Sequence, residues 1–299
     1  MLIGNMTCYQ ILWFFIAYSV LGWGVEVAYH ALTLGRVVNR GFLNGPVCPI
    51  YGFGMLAILS VFQTISANTH TAGGLMLFLG GMVLTTSIEF FGGWALDKLF
   101  HMRWWDYSKE PFNIHGYVCL RFSVFWGLGT VFMYRIVHPT VAALSVSLFP
   151  EKIGWILLGV MYLVYLVDLV VTVLTVRNLN RNLEDLEKLR KQLRIVSDTL
   201  SVQIGESTIA TANRVEHAQV QRALAKAELR EQLEENIEAQ RQEVERLRAR
   251  YEEVRKKLYA DPIFGPARLM WAFPTAVHRK HNELLAEFRA RLQERFKNR

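Results

Sequence analysis

Five apolar runs of about 20 residues, at roughly 9–34, 47–66, 73–96, 117–136 and 153–176, narrow what the first part of this chain can become. A helix needs about 20 predominantly apolar residues to cross the hydrocarbon core of a bilayer. Lipid offers the backbone no hydrogen-bond partners, so helices and closed barrels alone can span it. A water-soluble helix of that length normally keeps a polar face. The expectation is an all-α, polytopic transmembrane helix bundle of about five spans over residues 1–176. The second run opens with Pro49, Gly52 and Gly54, so its first turn is expected to be irregular and packed against protein.

Charge divides the chain at the same point. Residues 1–176 hold eight Lys/Arg and seven Asp/Glu, which leaves 25 and 19 for residues 177–299. The basic pI of about 9.4 therefore belongs to the tail. A mixed-sign, moderately basic tail beside a membrane suits anionic headgroups, and without a basic and aromatic recognition motif it does not read as a nucleic-acid surface. Cys8, Cys48 and Cys119 lie scattered in apolar segments with neither CxxC nor His spacing, which argues for buried thiols and against a disulfide framework or zinc site.

Lys and Arg collect on the cytoplasmic side of short loops. Arg36 and Arg40 follow the first run, Lys98, Arg103 and Lys109 the third, and Arg177, Arg181, Lys188, Arg190 and Lys191 the fifth, whereas the N-terminus and the 66–73 loop have none. Lys152 and the neighbouring Arg135 are the exceptions. An odd number of spans with the N-terminus outside fits this pattern and makes the protein a multi-pass cell-membrane protein with a cytoplasmic C-terminal tail.

The tail divides in two. Leu179, Leu183, Leu186 and Leu193 continue helical spacing beyond the bilayer, a break is expected around Gly205, and a second run then follows. Leu233, Ile237, Gln240, Val244, Leu247, Tyr251, Val254 and Leu258 alternate spacings of four and three, the pattern of a coiled-coil seam whose partner is either another subunit or the first tail helix. Residues 177–260 thus read as a helical coiled-coil region. Asp261-Pro262 and Gly265-Pro266 stop it. Residues 261–299 form a basic, amphipathic terminal segment beginning at Arg268-Leu269-Met270-Trp271-Ala272-Phe273-Pro274, suited to docking on headgroups or on the tail.

Ionisable side chains at membrane depth are costly and usually face a bundle interior. With cytoplasmic span ends near Leu34, Asp97 and Val176, Glu26, Glu89 and Asp168 each lie eight residues inside, about 12 Å deep. Arg40 and Arg121 are the nearest cations, and Asp106 is expected to pair with one of them. These six residues form a candidate polar cavity open to the cytoplasm; the alternative is a set of ion pairs that fixes helix register.

Gly22-Trp23 with Glu26, then Arg40-Gly41-Phe42-Leu43-Asn44-Gly45-Pro46 leading into Pro49-Ile50-Tyr51-Gly52, followed by Glu89, Trp105-Asp106-Tyr107-Ser108 and Asn113-Ile114-His115-Gly116, resemble the CmpB-type ABC-transporter type IV membrane proteins over roughly residues 8–175. The resemblance implies a permease working with a separate ATPase. The chain has no GxxxxGK[ST] loop and so is not itself the nucleotide-hydrolysing part. The expected role is a transport component, assembled as a homo-oligomer or with a partner helix through the tail. A membrane scaffold or sensor with a signalling coiled coil, and an enzyme acting on lipid headgroups, are the alternatives. The sequence shows no nucleophile and base pair, so no catalytic residue, cofactor or metal is assigned.

Overall fold

The computed structural model describes residues 2–3, 6–35, 37–69, 73–147, 150–213, 221–259 and 264–297. Helix dominates. The first helix, α1 (Cys8–Leu34), starts at a capping box in which the Thr7 hydroxyl accepts from the Gln10 backbone N–H and the Thr7 N–H donates to the Gln10 side chain. Gly35 ends it in the left-handed conformation, φ 66°, where a side chain would be strained. Next come α2 (Pro49–Thr69) and α3 (Gly74–Phe100). The α2 start differs from the sequence expectation. Its first turn is helical from Pro49, a position where the missing proline N–H costs nothing, and the preceding Cys48 N–H is taken by the Ser19 carbonyl at 2.9 Å.

The fourth apolar run is more complex than one plain helix. A short hairpin pairs Asn113–Ile114 (β4) with Val118–Cys119 (β5), and α4 then covers Leu120–Phe132. A π turn at Met133–Val137 leads without a gap into α5 (His138–Ser147). The helical stretch is therefore 120–147, shifted toward the C-terminus from the expected 117–136. Among the described residues three helices are long and apolar enough to cross a membrane, Cys8–Thr33, Gly74–Phe100 and Glu151–Val202, and Pro49–Ile65 is a shorter apolar helix.

Small residues let these helices approach closely. A Cβ on Gly22 would overlap the Tyr51 ring of α2, and one on Gly81 of α3 would overlap Thr130 of α4. Beside the first contact, Phe14 and Tyr18 of α1, Met55, Ile58, Leu59 and Phe62 of α2 and Leu77 of α3 form a buried core.

From Glu151, α6 runs as a single helix to Asn213, so the break expected at Gly205 does not occur. The second tail helix, α7, covers Gln221–Tyr259. Arg36, most of the loop that follows α2, and Asp261-Pro262 lie outside the described residues, as does the Leu233 side chain. The chain separates into two compact units, Met1–Arg177 with Pro262–Arg299, and Asn178–Asp261. In the second unit Leu247 and Leu258 are buried and Ile237, Gln240, Val244, Tyr251 and Val254 are half-buried, while most residues between them are exposed.

The first unit ends with the C-terminal segment, α8 (Pro266–Ala272), β6 (Val277–His278) and α9 (Asn282–Lys297). β6 pairs antiparallel with β3 (Met102–Arg103), just beyond α3, with Met102 opposite His278. Leu269, Met270, Ala272 and Leu285 are almost wholly buried. The stretch that composition assigns to headgroups or tail packs against the end of the bundle.

Candidate functional site

Glu26 leaves α1 one turn after Gly22, the glycine that admits the Tyr51 ring. The Tyr51 hydroxyl donates to Glu26 Oε1 at 2.6 Å. On the other carboxylate oxygen, Arg40 Nε lies at 3.8 Å and His30 Nδ1 at 3.5 Å. Arg40 comes from the loop between α1 and α2, where burial pulls its guanidinium below the ordinary arginine value while the Glu26 charge opposes the change.

Glu89 is handled differently. It is buried, and it accepts from the Tyr107 hydroxyl and from Trp126 Nε1, each at 3.2 Å. Burial, then the Glu89 charge, push the Tyr107 hydroxyl far above its ordinary value, which keeps it a donor. Among the described residues no Lys, Arg or His comes within ion-pair distance of Glu89. The Tyr51 ring meets the Trp126 ring edge to face, centroids 5.7 Å apart, so one aromatic pair joins the donors of both carboxylates. The resulting order is Arg40, Glu26, Tyr51, Trp126, Glu89 and Tyr107.

The other three expected members lie elsewhere. Asp168 of α6 holds a loop: its Oδ1 accepts from the Asn44 backbone at 3.0 Å and from Asn44 Nδ2 at 2.9 Å, and its Oδ2 accepts from the Gly45 backbone at 2.7 Å. Asp106 pairs with neither Arg40 nor Arg121. It caps its own turn, accepting from Ser108, and lies 3.8 Å from Arg103. Gly116, in the left-handed region at φ 74°, clears the space beside it. Arg121 is mostly exposed and lies 3.9 Å from Glu110. Its long side chain reaches outward from the start of α4, as arginines at helix ends do.

The sequence marks Asp97 only as the end of a span, yet two arginines and a tyrosine converge on it. Fully buried, it accepts from Arg279 Nε and Nη2 at 2.6 Å each, from the Tyr117 hydroxyl at 2.6 Å and from Arg103 Nε at 3.2 Å. Arg268 is its counterpart on the neighbouring loop, donating to the carbonyls of Gly41 and Phe42 at 2.9 Å each. Burial lowers the Arg268 guanidinium to about 10, which leaves it charged at neutral pH. Arg40 also donates to the Ala272 carbonyl and lies over the Phe273 ring, so the C-terminal segment touches the partner of Glu26 directly. The available signal was a segment of buried-type residues, 267–273, breaking a strongly charged tail.

Among the described residues no three His, Cys, Asp or Glu side chains are grouped to hold a metal ion. A family model described as Putative ABC-transporter type IV matches residues 13–173, more than half of the chain. The chain belongs to that family. All six expected polar residues fall inside the Putative ABC-transporter type IV match, whereas Arg268 and Arg279 lie beyond it. No match was found among curated proteins or solved structures. Family and helices together make this an ABC-transporter-related membrane protein.

Proposed function

We propose that the protein is the permease-like membrane component of a transporter, passing a cationic or proton-bearing solute by Glu26 and Glu89, with energy supplied by a separate ATPase. One observation carries this reading: Glu89 is a buried carboxylate in an apolar helix with hydrogen-bond donors but, among the described residues, no cation of its own. An acid used only for packing is expected to be paired, because an unpaired charge at that depth is costly. An acid that meets a mobile cation is left open. The bundle crosses five times in this reading, with 120–147 as the fourth span, the N-terminus outside and the tail in the cytoplasm. The α7 seam forms a coiled coil that gathers subunits.

Inverted membrane vesicles containing the full chain and its ATPase test the proposal, with a fluorescent amine as the cationic probe. ATP-driven uptake of the probe should be lost in Glu89→Gln at unchanged protein level. Equal traces from wild type, Glu89→Gln and vesicles lacking the chain would instead support an anchor and scaffold role, a reading that the 63-residue α6 favours by joining apolar span and tail in one helix.

A further inference from the structure

Away from the carboxylates, one titratable ring is enclosed by polar partners from other helices. His138 opens α5 immediately after the π turn, and its backbone N–H reaches back to the Met133 carbonyl. Such turns widen a helix and are frequent at functional sites. The Tyr18 hydroxyl of α1 lies 2.7 Å from His138 Nδ1, and the Gln63 amide of α2 lies 3.4 Å from Nε2. Tyr18 is 1% exposed. Phe14 meets the ring edge-on at 5.3 Å and Tyr134 stacks at 6.2 Å. The charged group nearest in sequence, Arg135, directs its guanidinium at Gly74. Among the described residues His138 has no ion-pair partner.

Both partners are amphoteric. A hydroxyl and a primary amide can each donate or accept, so either protonation state of the ring can be satisfied without moving the backbone. With the ring hydrogen on Nδ1, Tyr18 Oη accepts it and the Gln63 N–H points to the Nε2 lone pair. A proton arriving at Nε2 makes that nitrogen a donor, and half a turn of the Gln63 amide presents Oε1 to receive the new hydrogen bond. Oxygen and nitrogen of an amide are exchanged by that turn alone. A fixed carbonyl or a fixed N–H beside Nε2 would accommodate one state only.

We propose that His138, held between Tyr18 and Gln63, is a reversible proton-binding site inside the bundle, distinct from Glu26 and Glu89. Tyr18 and Glu26 stand eight residues apart on α1, about 12 Å along the axis, too far for the two sites to share one proton.

Nuclear magnetic resonance of the full-length protein, labelled with nitrogen-15 in its histidines and held in lipid nanodiscs, reads the ring directly. The signal is assigned by its loss in His138→Gln or, where that variant does not fold, by elimination through replacing the other seven histidines singly. Both ring nitrogens should convert reversibly to the imidazolium signature within the range of about pH 5 to 8 in which histidine exchanges charge. Gln63→Leu, which removes the acceptor for the second N–H, should lower proton affinity roughly tenfold, one unit in midpoint. A ring that stays neutral throughout this range in folded protein, or a midpoint that Gln63→Leu leaves unchanged, would overturn the proposal.

Discussion

Glu89 and Asp97 lie two turns apart on α3, and their surroundings treat a buried carboxylate in contrasting ways. Glu89 has two neutral donors, whereas Asp97 has two arginines and a tyrosine. Removing the Asp97 charge should therefore undo more than local geometry. Asp97→Asn is expected to cost about 2 to 4 kcal/mol, less than a fully buried pair because Arg279 is half in water. Thermal unfolding in detergent measures the cost, and Cys48 supplies a second reading. Its thiol is 7% exposed and therefore slow to alkylate at pH 8. Arg268 holds the Gly41 and Phe42 carbonyls of the loop that leads to Cys48, so a loosened C-terminal segment should uncover the thiol and speed its alkylation. Unchanged melting together with unchanged Cys48 reactivity would refute the role given to Asp97. Glu26 and Glu89 stood out in the sequence because a charge interrupts an apolar run. The Asp97 contact was not legible, since Arg279 lies 182 residues away and outside any such run.

Among the elements, helix existence was the most legible property, and the points where a helix changes character were the least. Apolar run lengths reveal α1, α3 and the first part of α6, but the π turn at Met133–Val137 interrupts a stretch whose composition reads as uniform. Gly205 shows the opposite error: a lone glycine costs a helix only about 1 kcal/mol relative to alanine, and α6 passes through it. In α7 the spacing of four and three gave a seam that can be tested. Leu247 is 7% exposed, so Leu247→Asp would bury an unpaired charge and should cost about 3 kcal/mol or more. Hydrogen exchange across 234–258 in the full chain measures this directly. Protection equal to wild type would show that the seam is not buried against a partner helix.

For the whole molecule, the expected orientation rests on the Lys and Arg of short loops. A single cysteine at His70→Cys, in a background without the three native thiols, should react with an impermeant reagent in intact cells, and one at Arg230→Cys only after the membrane is broken. The reverse pattern would invert the topology. Composition separates an apolar first part from a charged tail, yet the first compact unit also includes the last stretch of chain, because buried polar contacts recruit it there. Order of synthesis gives that arrangement a temporal meaning. At translation speeds of about 5 to 20 residues per second, Arg279 emerges about 10 to 35 s after Asp97, once the whole of Asn178–Asp261 has been made. Until then Asp97 has only Arg103 and Tyr117 as partners. A ribosome that terminates within the tail releases a bundle lacking its last two arginine contacts, so the clasp distinguishes finished chains from unfinished ones.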